Sequence, residues 1–420
     1  MDPATTISRA AELPGPAWLV ERRRAAAERF AASELPSAEE EVWRYSRIGD
    51  LDLDRYRPAG PDGAGAEPSG AGRDLLDQAG DDAVRIVTRS GLLAAVDQGP
   101  AGSVRVLSGH DLDGPGPLGT ALGEVHDALG HLHDAFASPI VVQVPDGADA
   151  GRIVVVHESG PDGVASFPHV VVEVGQAASA VVVEIHCGAD GVASLSLPVT
   201  ELLVGRDARL EHATIQLLGA AAWQVGRLAS RVEQGGNLHA GAVALGGDYA
   251  RLRVDTALAG RGAHGEITAA YFGDRTQLLD FRTFQDHRAP DTTSNLLFKG
   301  ALGEKGASVY TGLIKIRPEA RGTQAFQTNR NLKLSDDTWA ESVPNLEIEN
   351  NEVQCSHAST VGPVDPEQRF YLESRGVPTG RAERLIVRGF FDEVVDGLPL
   401  GPYEPVVRRA IEAKLERSLP

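Results

Sequence analysis

Cys355 and His357, in QCSHAST, lie just beyond the alternating run Leu346, Glu347, Ile348, Glu349. If one strand carries both, they project from the same face with Cα atoms about 6.6 Å apart. A thiolate and an imidazole converging from that spacing suit a soft or borderline metal ion. Two donors do not close a site, because structural zinc takes four, so a second chain or a labile ligand has to complete it. The competing reading is two ordinary strand residues, a buried thiol and a surface imidazole. The other cysteine, Cys187, follows His186 directly. Neighbours in a strand face opposite ways, so Cys187 reads as a small core residue. His131 and His133 in GHLHDAF sit two apart in helix-like surroundings, which turns them to different faces. Asp286 and His287 beside Arg288 carry the residue types of a general-base pair, with a solvated turn as the simpler expectation.

Catalytic signatures are missing. Residues 300–308, GALGEKGAS, hold a lysine without the Walker spacing. There is no nucleophile elbow and no zinc-protease motif. Two cysteines cannot supply the four thiolates that a monomer would need to hold an iron–sulfur cluster alone. The chain therefore reads as a non-enzyme.

The elements that must position these residues fall into three zones. Residues 1–139 read as a helical and α+β region. Helix is expected at 14–33, where Trp18, Leu19, Ala26 and Phe30 make a loose apolar stripe, and at 37–45, where Ser37 and Glu40 have capping-box spacing. A flexible loop is expected at 58–73, short strands at 85–88 and 104–107, and helix at 118–136. From residue 140 to 361 strand-like runs recur: IVVQV, RIVVVHE, HVVVEVG, AVVVEIHCG, ARLEHATIQLLG. Glycines punctuate them at intervals of 12 to 17 residues from Gly175 to Gly273, so each unit is one strand and one turn. Such a block exceeds one sandwich and predicts a β-solenoid, with a stacked double sheet as the alternative. Residues 362–420 read as three helices, near 366–375, 381–395 and 405–415. Gly376 closes the first and Thr379 caps the second, on which Leu385, Ile386, Phe390 and Val394 share a face.

Composition narrows the partner classes. Among 420 residues, 40 Lys+Arg stand against 59 Asp+Glu, a net charge of −19, which phosphate backbones and anionic lipid would repel. The expectation is no nucleic acid and no membrane. No run approaches the roughly 20 apolar residues of a membrane span, and the first residues lack a basic segment followed by an apolar one, so a cytoplasmic protein is expected.

One long ordered string goes further. It comprises Lys299-Gly300, Gln327 with Asn329-Arg330-Asn331-Leu332, Leu334-Ser335-Asp336-Asp337, Pro344 with Leu346-Glu347-Ile348, and Cys355-Ser356-His357-Ala358 with Thr360-Val361-Gly362. Phe370-Tyr371-Leu372 with Ser374-Arg375-Gly376 completes it. The string resembles the SufB/SufD family of iron–sulfur cluster assembly proteins, strongly over about residues 290–395 and more weakly elsewhere. Glu41-Val42-Trp43-Arg44-Tyr45-Ser46 echoes a feature of the SufD branch. Where SufB-like chains typically carry the cysteine tied to cluster assembly, this sequence has Ile348. Where they carry glutamate after the histidine, it has Ala358. Both departures make it most like SufD. Family histidines around Asp280 are replaced here by Phe281 and Arg282, leaving His287.

The resemblance implies a mainly β fold with α elements: a right-handed parallel β-helix core between N-terminal and C-terminal helical regions. It implies a scaffold subunit of an ATP-dependent SufB–SufC–SufD assembly complex. The chain would pair with a SufB-like sister through the β-helix, or with itself when isolated. Its C-terminal helices would dock a SufC-like ABC-type ATPase, which uses the ATP. On this reading Cys355 and His357 are half of a metal site at the subunit interface. No cofactor is held tightly by this chain alone, and a transient iron or iron–sulfur cluster is shared with the sister. Phe370, Tyr371, Leu372, Arg375, Gly376, Leu385, Ile386 and Phe390 are the partner-binding candidates. The rivals are a SufB-like chain that itself holds the nascent cluster, and a β-solenoid enzyme acting on polysaccharide.

Overall fold

The computed structural model describes residues 3–60, 69–99, 104–123 and 127–419. Two parallel sheets face each other across an apolar lumen, and the chain alternates between them. One runs, by strand, 339–348, 307–316, 278–287, 249–258, 223–232, 199–204, 168–174 and 138–144, and the other 354–363, 324–333, 293–302, 264–273, 237–244, 209–217, 179–187 and 149–158. Spatial neighbours are thus every second strand in sequence, which makes the fold a solenoid and removes the stacked-sandwich alternative. The glycine interval in the sequence corresponds to half a coil.

The coil itself has a marker. Gly147, Ala177, Asp207, Gly235, Gly262, Asp291 and Gly322 all have positive φ and recur 27 to 31 residues apart. Each donates its N–H to a carbonyl of the next coil, for example Asp207 to Gln234 (2.9 Å) and Gly322 to Glu352 (2.7 Å). One left-handed residue per coil turns the corner. Four of the seven positions are glycine and two are aspartate, which tolerates that conformation; Ala177 adopts it as well.

The lumen begins with Val, Ile, Leu and Ala from Val84 to Val204. It then fills with a ladder of rings, Tyr271, Phe281, Phe298 and Tyr310, with centroids 4.7 to 5.6 Å apart. Gly300 is required there, since a Cβ would fall 1.9 Å from the Tyr271 ring.

Helices cover the outer faces. α1 (Pro3–Glu12), α2 (Ala17–Ala32), α3 (Gly70–Asp77) and α4 (Ala128–Phe136) belong to the N-terminal region, and α5 (Pro366–Ser374), α6 (Thr379–Val395) and α7 (Glu404–Ser418) follow the last strand. The N-terminal region packs Phe30, Trp43, Tyr56 and Phe136 against Phe167, Trp223 and Tyr249. It also supplies strands: 84–89 extends one sheet in parallel, while 92–97 and 105–108 close the first coil antiparallel. The α6–α7 pair covers the other sheet, with Val387, Phe391, Ile411 and Leu415 on Val243, Phe272 and Ala301.

Several expectations change locally. Residues 37–45 form turns around a short 3-10 segment, Glu41–Trp43, although Glu40 does bond back to the Ser37 N–H at 2.9 Å. The helix expected over 118–136 is confined to α4. Of the loop expected at 58–73, residues 61–68 lie outside the described residues and 70–73 open α3, which Ser69 caps at the Gly72 N–H. Thr379 is the first residue of α6 and makes no cap; Pro378 precedes it. The buried face of α6 is Ala382, Val387, Phe391, Val394 and Val395, with Leu385 turned outward, because a helix apolar on most sides leaves its docking face undetermined by spacing. No helix among the described residues is long and apolar enough to cross a membrane.

Candidate functional site

Among the described residues the last coil has no successor. Strands Trp339–Ile348 and Gln354–Pro363 are each paired on one side only, with 307–316 and 324–333. Cys355 sits in register with Ala325 and His357 with Gln327, both buried lumen residues. Parity places Cys355, His357 and Ser359 on the lumen face, where the missing coil leaves them open. On the facing strand Ser342, Leu346 and Ile348 register with the buried Tyr310, Ile314 and Ile316, so Ile348 also lies on the lumen side and is 45% exposed. The sequence expectation that Cys355 and His357 share a face therefore holds, and Ile348 joins them at the same rim.

The two donors differ in environment. Cys355 is half-buried against Ile314, Ile316, Ala325, Leu346 and Val353. Burial pushes its thiol above the ordinary value, outweighing the opposing pull of the Ala325 backbone. A metal ion would have to displace that proton. His357 is exposed. Behind it, Gln327 is buried and neither its amide oxygen nor its nitrogen finds a partner. Unpaired buried amides are rare in folded proteins. A thiol and an imidazole on one open rim, with an orphaned amide buried one strand behind them, fit part of a coordination shell. They do not fit a complete one, so any cluster or ion passing here would be cargo with ligands from elsewhere.

The partner-binding candidates divide. Phe370 (71% exposed), Tyr371 and Leu385 stand free on α5 and α6, and α5 buries no residue. Arg375 is exposed at the end of α5, its guanidinium 5.4 Å from the Tyr371 ring centroid. Gly376 (φ 84°) ends the helix, its N–H bonded to Glu373 at 2.9 Å. Leu372 is half-buried. Ile386 and Phe390 instead pack on the α6–α7 core, and Lys299 Nζ lies 4.5 Å from the Phe390 ring while pairing with Glu393 at 2.5 Å. The α7 helix is fastened separately: Lys414 Nζ reaches Asp274 and Gln277 at 2.6 Å each, and Arg417 reaches Asp274 at 2.7 Å.

Other singled-out residues are placed differently from expectation. Asp286 and His287 are in no solvated turn: both are buried in strand Leu278–His287. Asp286 is clamped by Arg288 (2.7 Å) and Arg317 (2.8 Å), and His287 by Thr292 (2.8 Å) and Ser294 (2.9 Å). Every polar valence of His287 is used, so it is a packing residue. Cys187 is buried in the apolar layer under α6, as read. His133 is buried on α4, between the Leu197 carbonyl (2.8 Å) and His169 (3.3 Å). Sequence reasoning passed over the lumen residues His157, Glu184 and His212; the signal was a polar residue at the inward parity of a valine-rich strand.

Fold and rim together define a class: a parallel β-solenoid capped at its first coil, open at its last, and flanked by helices that leave aromatic side chains uncovered. The model of the SUF system FeS cluster assembly SufBD core domain matches residues 155–390, more than half of the chain. The chain belongs to the SufBD family. It is 44% identical over 185 residues to iron–sulfur cluster assembly SufBD family proteins of Mycobacterium bovis and Mycobacterium tuberculosis, covering 42% of this chain and 46% of theirs. A Staphylococcus saprophyticus protein of the same description is 28% identical over 221 residues, 53% of this chain and 47% of that one. The chain thus spans about half the length of the curated relatives it matches.

Proposed function

We propose that this chain is a SufD-like, non-catalytic scaffold subunit of a cytoplasmic, ATP-dependent iron–sulfur assembly complex. In that complex the open last coil meets a SufB-like sister and α5–α6 receive a SufC-like ABC-type ATPase. The observation that carries the reading is the rim: Cys355 and His357 open on the lumen face, with Ile348 at the position where a SufB-like chain would hold its cysteine. Half a donor set at an unpaired coil is what a shared site needs from one partner. Movement of the docked ATPases would strain the seam and open or close it. No constellation among the described residues favours the polysaccharide-enzyme alternative. The SufB-like alternative is opposed by Ile348 and Ala358.

The first test is a native pull-down of the tagged chain from its own cells. Co-purification of an ABC-type ATPase and a sister chain of similar size supports the assignment, and recovery of the chain alone at low salt refutes it. The second is Cys355→Ala/His357→Ala in the reconstituted complex. Association should be unchanged and cluster yield should fall at least about tenfold. Wild-type yield removes the shared-site reading.

A further inference from the structure

Far from the rim, the apolar lumen contains a polar cluster that the proposed scaffold role does not use. His157 on strand Asp149–Glu158 and Glu184 and His186 on strand Ser179–Cys187 all point inward, as does His212 on Arg209–Leu217. All four are buried. One ligand atom from each of His157, Glu184 and His186 lies within 4.8 Å of the others. Six strand spacings separate this place from Cys355, roughly 29 Å.

The hydrogen bonds show which valences are spent. Glu184 accepts from His157 Nε2 (3.2 Å), His212 Nε2 (2.7 Å) and Thr200 Oγ1 (3.0 Å). His157 Nδ1 meets Thr88 Oγ1 at 2.7 Å. His186 stacks on His157, ring centroids 4.6 Å apart, and makes no hydrogen bond among the described residues. The far nitrogen of His212, Nδ1, has no partner either. His186 is a buried imidazole with nothing to bind, set against a His157–Glu184 pair bonded to each other, so a cation that replaces that one bond finds three donors together. The contrast is His133, Asp134 and His169, grouped just as closely. There Leu197, Glu201 and Arg22 already occupy the available atoms.

We propose that His157, Glu184 and His186 form a binding site for one divalent first-row transition-metal cation of the Fe2+ or Zn2+ class. Two imidazoles and a carboxylate suit that class, and the absence of a thiolate disfavours Cu(I). Three protein ligands leave one position open. A cavity of about 30 Å3 bounded by His186, Thr200, His212, Gln216, Gln224 and Arg227 among others adjoins it, room for one water. The guanidiniums of Arg227 and Arg251 at this cavity are already paired with Asp255 and Asp280. The supporting shell is present: Thr88 orients His157, while His212 and Thr200 hold Glu184. On binding, the His157 proton moves from Nε2 to Nδ1, and Thr88 turns from donor to acceptor. The proton stays on the ring, so this shift releases none to solvent.

The test is an anaerobic titration of the full-length chain with Co2+ alone, followed by visible absorption. One equivalent should bind, with ligand-field bands of a nitrogen and oxygen shell and no sulfur charge transfer. The same equivalent should persist in Cys355→Ala/His357→Ala. His186→Gln should weaken binding at least about tenfold, and since its ring carries no hydrogen bond the variant should fold. Circular dichroism melting checks that. If it does not fold, Zn2+ X-ray absorption on the wild type decides: an imidazole-rich shell upholds the site and a sulfur neighbour overturns it. No Co2+ uptake, or uptake lost with Cys355 and His357 and kept in a folded His186→Gln, overturns it as well.

Discussion

Asp274→Asn is the sharpest probe of how the C-terminal helices are held. Asp274 and Lys414 are almost fully buried, and their contact at 2.6 Å ties α7 to the strand His264–Gly273 and the turn after it. Burial outweighs the attraction of Asp274 and pulls the lysine down to about 8, so the ammonium is held in the charged form at neutral pH at some expense. Burial acts on Asp274 in the opposite sense to Lys414 and Arg417, and the two cations prevail, keeping the carboxyl ionised. Replacing the carboxylate with an amide keeps an acceptor oxygen but removes the countercharge that the buried Lys414 and its neighbour Arg417 share. Breaking such a pair costs about 3–5 kcal/mol. At about 1.4 kcal/mol per factor of ten, that is a hundred- to several-thousand-fold shift in the opening equilibrium of α7. Hydrogen exchange by mass spectrometry reads it directly. Peptides from 404–418 should exchange at least about a hundred times faster at pH 7, while those from the valine-rich strands stay protected. Asp274→Asn/Lys414→Met should restore most of the protection, since a neutral, mostly apolar replacement carries no unpaired charge. Exchange within about fivefold of wild type in the single variant, or loss of protection spread over the solenoid, refutes the latch.

Three further outcomes are expected. Gly300→Ala drives a methyl into the fully buried Tyr271 ring, whose hydroxyl is fixed by Asn329 and Asn331, and should lower stability by about 3 kcal/mol in urea unfolding; a shift under about 1 kcal/mol contradicts the packing. Burial depresses His133 to about 3 and His287 to about 4, so the unfolded chain binds more protons below its own value near 6.5. Stability is complete above pH 6.5 and should fall by about 1.4 kcal/mol per pH unit per histidine between 6.5 and 5, with His287→Gln removing its share; a flat urea midpoint from pH 7 to 5 contradicts this. Arg375→Glu, at an exposed helix end, should change stability by less than about 0.5 kcal/mol and yet weaken ATPase association at least tenfold by size-exclusion or biolayer measurement. Undiminished association would remove Arg375 from the docking surface.

Much of the architecture was legible in the residues. The period-two runs from 140 onward and the turn glycines specify strand, turn, strand, because alternation and tight turns are local properties of the chain. The ordered string from Lys299 to Gly376 carried the family, and the two-residue step from Cys355 to His357 placed both on one face. What the chain could not reveal locally was settled by what stacks on what. Whether half-coils build a sandwich or a solenoid depends on pairing between strands some 30 residues apart. Which side of α6 docks depends on the sheet beneath it. Asp286 and His287 look like a polar turn until Arg317, Thr292 and Ser294 close over them from neighbouring segments. His157, Glu184, His186 and His212 meet only because successive coils bring the same inward parity to one level of the lumen, and that juxtaposition is a property of the coil, written at no single stretch of the sequence.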